Sequence, residues 1–262
     1  MTVPNRLAPD AATFAAARAP ELTTREEWER RIRAIQPGAL GIEPFGAVLL
    51  RHLPAEPAWT AIEIGAIPGR FLLFLHQAFG YRISALDYAR DWTAFDEVMR
   101  RGRVPEVQKL EADFLCFESP RQYDVVASFG FIEHFLDVAD VIRRHTRLVG
   151  PEGFLVLSVP NFTRLQYGFH WVVDRANLKL HNTQAMDPRR IEQWVVRDGF
   201  RICYSGYLGR PEFWHEAQEL AWWQRIVARI ARSLAQRLGP RLPASSWYSP
   251  YYMVIARRDT RP

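Results

Sequence analysis

Residues 59–70 constrain the fold more than any other part of the chain. The first half is an apolar run around Ile62 and Ile64, with the length of a buried parallel strand. Gly65 and Gly69 follow, and because they lack a Cβ they permit a tight turn and a close backbone approach. Apolar residues then recur at helical spacing. The stretch therefore predicts a strand, a turn and a helix, which form a ligand crevice at the edge of a parallel sheet.

The spacing of the glycines separates two classes of nucleotide-binding fold. Glu63, Gly65 and Gly69 resemble motif I of the class I S-adenosylmethionine (SAM) methyltransferases, in which an acid precedes a glycine-rich turn. Ile67 stands in place of the middle glycine of that motif, so its side chain is expected to point away from the ligand. A dinucleotide fingerprint needs G-x-G-x-x-G, and this stretch does not have that spacing.

The chain divides into three parts. Residues 1–20 are rich in Ala and Pro without periodicity, and we predict a mobile tail. Residues 21–54 contain helical patterns, the first opened by the capping-box pair Thr24 and Glu27. In the family that the motif resembles, such helices often cover the cofactor crevice; packing on the sheet edge is the alternative. The resemblance implies that residues 55–262 form a SAM-binding methyltransferase domain with a lid insertion at 161–186.

Strand and helix patterns alternate through this domain. After the first strand, strands are predicted at 81–87, 107–114, 123–129, 154–160, 199–208 and 248–257, and helices at 70–79, 92–99, 137–148 and 188–197, with a turn at 149–153. The alternation predicts an α/β protein with a Rossmann-like, seven-stranded, mostly parallel sheet and helices on both faces. The last strand is expected to be antiparallel, and a lid insertion is expected after strand five.

Three successive strands end in an acidic residue: Glu63, Asp87 and Asp113. A carboxylate at a strand tip costs free energy unless something there requires it. Asp87 lies about twenty residues beyond the glycine turn, where an acid can accept hydrogen bonds from ribose hydroxyls. Helix N-capping is an alternative for one such acid, but it does not account for three in order.

The resemblance implies SAM as the cofactor and S-adenosylhomocysteine as its product. It also implies that Asp113 accepts the adenine amino group and that Phe114 flanks the ring. The cofactor-binding residues that it implies are Glu63, Gly65, Ala66, Gly69, Asp87, Tyr88, Asp113, Phe114, Ser128 and Phe129.

Residues 129–135, Phe-Gly-Phe-Ile-Glu-His-Phe, resemble the motif after strand four in small-molecule methyltransferases such as the ubiquinone-pathway O-methyltransferases. Similar sequences occur in bacterial surface-polysaccharide and lipid gene neighbourhoods. Nucleic-acid methyltransferases of this fold commonly carry Asn/Asp-Pro-Pro-Tyr/Phe here to hold a flipped base. Ser-Phe-Gly-Phe at 128–131 disfavours a nucleic-acid substrate.

An alcohol acceptor requires a base, and histidines supply the candidates. His134 follows strand four, whereas His170 and His181 lie in the aromatic-rich segment 161–186. This segment is predicted to be the substrate lid, with a structural flap as the alternative. Each histidine has a purely structural role as its alternative. Glu133 with His134 could contribute to a divalent-ion site, but the sequence contains no cluster with metal-ligand spacing and we predict no metal.

The positive charge of the chain lies at one end. Nine arginines stand against four acidic residues in 210–262, which accounts for the net charge of +5. Residues 213–238 form an amphipathic helical pattern with Arg225, Arg229 and Arg232 opposite the apolar stripe. The stripe is expected either to pack on the sheet or on a second copy in a homodimer, or to lie on anionic lipid.

The remaining features concern location. No run of about 18 apolar residues suggests a membrane span, no signal pattern opens the chain, and the two cysteines are isolated. We expect a cytoplasmic protein, with peripheral contact at the inner membrane surface through 213–238 as an alternative.

We therefore expect a bacterial SAM-dependent methyltransferase acting on a small-molecule acceptor, at oxygen rather than nitrogen. The acceptor would be a sugar, a polyketide, a quinone-like molecule or a lipid-linked molecule. One alternative is a degenerate methyltransferase-like subunit that binds SAM or a partner without turnover, which the Ile67 substitution favours. The other is a nicotinamide-dependent oxidoreductase, which the glycine spacing disfavours.

Overall fold

The structure is a computed structural model that describes residues 22–34, 41–104, 106–216 and 219–259. The tail predicted at 1–20 lies outside these residues. The strands are β1 (Thr60–Ile64), β2 (Arg82–Asp87), β3 (Gln108–Glu111), β4 (Tyr123–Phe129), β5 (Val149–Pro160), β6 (Phe200–Leu208) and β7 (Tyr251–Arg258). The helices are α1 (Arg25–Ala34), α2 (Gly46–His52), α3 (Arg70–Phe79), α4 (Thr93–Arg101), α5 (Val138–Leu148), α6 (Arg164–Val173), α7 (Arg175–Lys179), α8 (Pro188–Arg197) and α9 (Trp222–Leu238).

The seven strands form one sheet in the order β3-β2-β1-β4-β5-β7-β6. Strand β1 lies near the centre, where Ile62 pairs with Ser84 of β2 and with Val126 of β4 in parallel register. Strand β7 is antiparallel and lies between β5 and β6. The predicted Rossmann-like sheet with its antiparallel last strand is confirmed.

Helices cover both faces of the sheet, and this explains why the central strands are apolar without alternation. On β1, Ala61 packs in the core under α2, α3 and α4, together with Leu49 and Phe71. Its neighbour Ile62 points to the opposite face, where it joins the core under α5 and α8 with Val141. Successive side chains of a strand alternate between faces, so each strand of the centre contributes to two cores.

The start of β5 differs from the sequence prediction. Residues 149–153, predicted as a turn, belong to the strand, because Val149 pairs with Tyr123 of β4 before the register shifts. Gly153 permits this arrangement, since a Cβ there would lie 2.9 Å from the carbonyl oxygen of Asp124. The turn prediction is therefore wrong: these residues make an irregularity within the strand rather than end it.

The segment at 161–186, which follows strand five and was predicted to be a lid insertion, is mainly helical. It contains α6, α7 and a 3-10 turn at 183–186. Its buried side chains include Phe162 and Phe169, and Asn182 N donates a hydrogen bond of 2.7 Å to the carbonyl oxygen of Glu133. The segment thus lies against the loop that follows β4. Its role as a substrate lid stays a prediction.

The helix predicted at 213–238 begins later, at Trp222. The preceding residues are not continuous with it, because their backbone binds partners elsewhere: Glu216 N donates to Asp174 Oδ2 at 2.7 Å. The predicted start of this helix is therefore wrong. Across the described ranges, we find no helix that combines the length and the apolar character needed to cross a membrane.

One ionisable group is buried on the α5 face of the sheet without a charged partner. His145 is fully buried, and its Nδ1 lies 2.8 Å from the carbonyl oxygen of Val141, to which it donates. Its Nε2 has no hydrogen-bond partner among the residues that the structure describes, and its ring lies 4.5 Å from that of Phe114. Burial lowers the pKa of His145 to about 4, so the imidazole is neutral at pH 7.

This burial predicts a pH dependence of stability. An unfolded chain restores the ordinary histidine pKa of about 6.5, so between that value and the folded pKa only the unfolded state takes up the proton. Above the unfolded pKa, the burial of His145 therefore does not lower the free energy of unfolding. As the pH falls below that pKa, the free energy of unfolding decreases. We expect wild type to lose about 2 kcal/mol more free energy of unfolding than His145→Asn between about pH 7 and pH 5. Urea unfolding at both pH values measures this difference; equal losses would contradict it.

Candidate functional site

The carboxyl ends of β1, β2, β3 and β4 lie side by side at one edge of the sheet, because these strands run parallel. Helix α1 lies across this edge: Arg25 Nε donates to the carbonyl oxygen of Tyr88 at 2.9 Å, and its guanidinium lies over the Tyr88 ring. We call the space between α1 and the strand ends the inner crevice. Its lining includes Trp28, Gly65, Asp87, Tyr88, Asp113, Phe114, Phe131 and His134.

Asp87, at the end of β2, binds the backbone of the glycine turn. Its side chain is 1% exposed, and its oxygens accept hydrogen bonds from Ile67 N at 3.2 Å and Ala89 N at 3.0 Å. The neighbouring Ala66 N donates to the carbonyl oxygen of Leu86 at 3.2 Å. Burial raises the pKa of Asp87 to about 6, while the N–H donors act in the opposite direction. Tyr88 N–H and the Trp28 side chain also act on this carboxylate, and both residues line the inner crevice beside it.

The two glycines of the turn serve different purposes. Gly65 has a φ of +71°, and a Cβ there would lie 2.7 Å from the ring of Phe131 in the inner crevice. Gly69 has a φ of +92°, and a Cβ there would lie 2.7 Å from the ring of Phe95. Gly65 therefore faces the crevice, whereas Gly69 lets α3 pack closely on α4. The side chain of Ile67 is buried in the core, as expected for a bulky residue in place of the motif glycine.

Asp113 and Phe114 follow β3 rather than ending it. The strand, predicted at 107–114, stops at Glu111 because Asp113 forms a turn, in which its Oδ1 accepts a hydrogen bond of 2.9 Å from Leu115 N. The predicted end of β3 is therefore wrong. Both residues still line the inner crevice, where Phe114 meets the edge of another aromatic ring, that of Phe131.

Two buried polar groups at the ends of adjacent strands lack partners. Glu63 Oε2 and Ser128 Oγ make no hydrogen bond with any described residue. Burial raises the pKa of Glu63 well above its usual range, although the nearby Arg70 acts in the opposite direction. Phe129 points elsewhere: its ring stacks on that of Phe71 at 3.7 Å, within the core.

A second, wider space adjoins the inner crevice, and we call it the outer cavity. Trp28 and His134 line both spaces, so the two meet at these side chains. The other residues of the outer cavity include Arg30, Arg31, Gly130, Glu133, His181, Trp214 and Glu216. The His134 imidazole thus borders two spaces of very different size, a narrow inner crevice with a cavity volume of about 30 Å³ and an outer cavity of about 710 Å³.

Glu133, His134 and His181 are brought together where the two spaces meet. His134 Nε2 lies 3.9 Å from Glu133 Oε1, and the rings of His134 and His181 are 4.7 Å apart. Burial lowers the pKa of His134 well below its usual range, with His181 and Arg31 acting in the same direction. Burial lowers the pKa of His181 to about 4 and raises that of Glu133 to about 8. All three groups are therefore neutral at pH 7 when nothing is bound to them.

His170 lies apart from this cluster. It is fully buried on α6, where its ring packs against Phe162 at 4.1 Å and against Trp214 at 5.1 Å. Its Nδ1 lies 3.9 Å from Asp174 Oδ2, beyond hydrogen-bond distance. His170 does not belong to the lining of either space. The structure thus brings two of the three candidate histidines together and separates the third.

Three residues at the site are absent from the set chosen from sequence. The ring of Trp28 meets that of His134 edge-on at 5.2 Å, and Thr23 Oγ1 lies 2.9 Å from His134 Nδ1. Phe131 covers Gly65. Trp28 is on the apolar side of α1, and its position in the helical pattern does not distinguish it from an aromatic residue of the core. Phe131 stands within the Gly-Phe-Ile-Glu-His-Phe stretch, and its position in that motif is the one signal that marked it.

The fold and this site define the class of protein: the chain has the architecture of the class I methyltransferases. A family described as "Methyltransferase domain" matches residues 25–205, which is more than half of the chain. The chain belongs to this family. The expectation drawn from Glu63, Gly65 and Gly69 is confirmed at the level of family and fold.

Matches to curated relatives are short. The chain is 36% identical over 56 residues to a ubiquinone biosynthesis O-methyltransferase of Leptothrix cholodnii, which covers 21% of this chain and 24% of the relative. It is also 36% identical over 81 residues to a protein of Mycobacterium tuberculosis named a probable S-adenosylmethionine-dependent methyltransferase. This match covers 30% of this chain and 28% of the relative. The chain thus spans about a quarter of the length of these relatives.

Solved structures match over most of the chain. An N-methyltransferase, NodS of Bradyrhizobium japonicum, in complex with S-adenosylhomocysteine, has a TM-score of 0.57 and 14% identity, covering 89% of this chain and 97% of its own. A geranyl diphosphate C-methyltransferase of Streptomyces coelicolor, in complex with Mg²⁺, geranyl diphosphate and S-adenosylhomocysteine, also has a TM-score of 0.57, with 16% identity and coverage of 89% and 84%. These likenesses show a shared fold.

Proposed function

We propose that this protein transfers the methyl group of SAM to an oxygen atom of a small-molecule acceptor. The observation that carries the proposal is the meeting of the inner crevice and the outer cavity at His134. A cofactor in the first and an acceptor in the second would have their reacting ends at this residue. The family and the O-methyltransferase named among the relatives support the same reaction.

The residues of the inner crevice fit SAM. Asp87 brings an anionic acceptor to the crevice for ribose hydroxyls, and Phe114 offers an apolar face beside Asp113 for adenine. Glu63, at the end of β1 and outside the lining of the crevice, has a buried Oε2 without a partner among the described residues, and its carboxyl suits the cationic methionine end. The ring of Phe131 lies against Gly65 and must turn away before a ligand reaches that backbone. The bound cofactor would supply an electrophilic sulfonium methyl.

On the acceptor side, the chain positions the hydroxyl and removes its proton. His181 Nδ1 lies 2.7 Å from the carbonyl oxygen of Asn177, to which it donates, so its Nε2 carries a free lone pair. When no metal ion is bound, this Nε2 is the proton acceptor, and His134 orients the oxygen from the other side. Trp28 covers the junction and excludes water, which strengthens these contacts.

A SAM-binding subunit without turnover is the alternative. Its support from sequence was the replacement of the middle motif glycine by Ile67. The side chain of Ile67 lies in the core and leaves the crevice clear, and its backbone N–H binds Asp87. The neutral imidazoles beside the outer cavity favour an enzyme.

The first test concerns Asp87. We expect Asp87→Asn to weaken S-adenosylhomocysteine binding by about 1.5–3 kcal/mol, because it removes an anionic acceptor. Asp124→Asn is the matched control, since Asp124 accepts two hydrogen bonds from Thr60 at the opposite end of the sheet. Isothermal titration calorimetry measures the affinities, and thermal unfolding checks that both variants fold. An Asp87→Asn protein that binds as wild type would remove Asp87 from the cofactor site.

Helix α9 presents an unusual surface. Its small residues face the protein: Ala228 is buried between Phe169 and Val173, and Gln224 Nε2 donates to Val172 O at 2.8 Å. The apolar stripe therefore faces outward, and we call it the outer ridge. The outer ridge comprises Trp222, Trp223, Ile226, Ile230, Leu234 and Leu238, and the two tryptophans are 69% and 45% exposed.

We propose that the outer ridge lies on the surface of an anionic bilayer. Arg225, Arg229 and Arg232 are exposed beside the ridge, between it and the face that packs on α6, and such a charged flank is typical of an interfacial helix. Tryptophan rings suit the boundary between headgroups and acyl chains. Each arginine near an anionic surface contributes about 1 kcal/mol. The proposal would bring a lipid-linked or membrane-dissolved acceptor to the enzyme.

Vesicle flotation tests this location. We expect binding to anionic but not to neutral vesicles, and a loss on the order of 100-fold in Arg225→Glu/Arg229→Glu/Arg232→Glu. The same reversal at Arg189, Arg190 and Arg197 around α8 is the matched control and should leave flotation unchanged. Absence of flotation, together with a dimer by light scattering that Ile226→Ser/Ile230→Ser disrupts, would instead assign the ridge to a second copy of the chain.

A further inference from the structure

We propose that Glu133, His134 and His181 bind a divalent first-row transition-metal cation at the inner end of the outer cavity. The proposal rests on the proposed methyl transfer to oxygen, because it identifies how the same site handles an acceptor hydroxyl. One ligand atom from each side chain lies within 4.8 Å of the other two, and all three residues are buried. Two imidazoles and one carboxylate are ligands that such cations prefer.

The distances suit a cation after a small movement. Ligand atoms about 2.0–2.2 Å from a bound zinc ion lie within about 4 Å of each other. The present spacing of up to 4.8 Å therefore requires side-chain shifts of less than about 1 Å. Glu133 is 1% exposed and its Oε2 has no hydrogen-bond partner. A buried carboxylate oxygen that lacks a donor is the group that a cation would satisfy.

The surroundings orient both imidazoles for coordination through Nε2. His181 Nδ1 donates to the carbonyl oxygen of Asn177 at 2.7 Å, which leaves the lone pair on its Nε2 because a carbonyl oxygen can only accept. His134 Nδ1 lies 2.9 Å from Thr23 Oγ1 and 3.2 Å from the carbonyl oxygen of Leu180, so this nitrogen is already engaged and Nε2 is the one left for a cation. Metal-binding histidines usually have their second nitrogen held in this way.

Hydrogen bonds join the loop that carries Glu133 and His134 to the loop that carries His181. Asn182 N donates to the carbonyl oxygen of Glu133 at 2.7 Å, and Asn182 Nδ2 donates to that of Phe135 at 2.9 Å. These bonds fix the backbone of His181 beside that of His134. A site held together before the cation arrives loses less conformational entropy on binding.

Arg31 is the positive charge that would oppose a cation here. Its guanidinium is engaged by other groups: Nη1 lies 3.2 Å from Glu216 Oε2, and Nη2 donates to Asn177 Oδ1 at 3.1 Å. Glu27 Oε1 lies 3.4 Å from its Nε. Two carboxylates therefore compensate the charge of Arg31.

Three protein ligands leave coordination positions open toward the outer cavity, as in catalytic zinc sites. A hydroxyl acceptor placed there would have its pKa lowered by the cation. Its proton would leave to bulk water. The acceptor oxygen would form a bond to the methyl carbon of SAM, and the S–CH₃ bond would break with its electron pair remaining on the sulfur of S-adenosylhomocysteine. The acceptor class is therefore a small molecule with an ionisable hydroxyl.

Cobalt(II) is the probe for this site, because its visible absorption reports the ligand set. The full chain is treated with chelator, desalted and titrated with Co²⁺, and metal content after exposure to Zn²⁺ is measured by mass spectrometry. We expect one equivalent of Co²⁺ per chain. Glu133→Gln and His181→Ala should each weaken binding by more than about 100-fold, since even outer-shell changes cost about 10–100-fold. His145→Asn, which changes an equally buried histidine outside the cluster, should bind as wild type.

The outcomes separate this proposal from the proposed methyl transfer. S-adenosylhomocysteine affinity is measured by calorimetry on the same samples, with and without Co²⁺. Cofactor binding without stoichiometric Co²⁺, or Co²⁺ binding that Glu133→Gln leaves unchanged, would overturn the metal site alone. Stoichiometric Co²⁺ that depends on Glu133, in a chain that binds no S-adenosylhomocysteine, would support the metal site and overturn the proposed function. Circular dichroism of Glu133→Gln, which preserves side-chain shape, excludes misfolding as the cause of lost binding.

Discussion

The site depends on one constraint: several polar side chains at the carboxyl edge of the sheet are removed from water. Glu63, Asp87 and Glu133 are all buried there, and burial raises the pKa of each. Burying a carboxyl group costs free energy unless hydrogen bonds or a ligand compensate it. Asp87 is compensated by two backbone N–H groups, whereas Glu63 and Glu133 each retain an oxygen without a partner. The two cores on the sheet faces supply the stability that tolerates this cost.

Parallel strand geometry explains why so much of this edge could be predicted from sequence. Strands β1 and β2 read as short apolar runs, and the acids at their ends, Glu63 and Asp87, necessarily lie at one edge of the sheet. The cluster of Glu133, His134 and His181 could not be predicted in the same way. His181 is distant in sequence and reaches Glu133 through the Asn182 N–H bond, which only the packing of 161–186 creates.

Helix α9 shows a second limit of sequence patterns. The amphipathic stripe was visible, and the usual inference is that the apolar side is buried. Here the buried side holds Ala228, while Ile226 and Ile230 are exposed. Small residues allow α9 to approach α6 closely, and a pattern of hydrophobicity alone does not reveal which of two faces makes that approach. The start at Trp222 was missed for a related reason, since Asp174 binds the preceding backbone.

The loop after β4 connects the two halves of the site. Phe131 lies against Gly65 in the inner crevice, while Glu133 and His134 face the outer cavity, all within four residues. A ligand that displaces the Phe131 ring therefore acts on the same short loop that holds two of the three cluster side chains. The third, His181, belongs to the segment on which α9 packs through Ala228. A surface bound by the outer ridge would thus contact the helix that packs on the segment bordering the outer cavity, so acceptor delivery and hydroxyl activation would share one structural support.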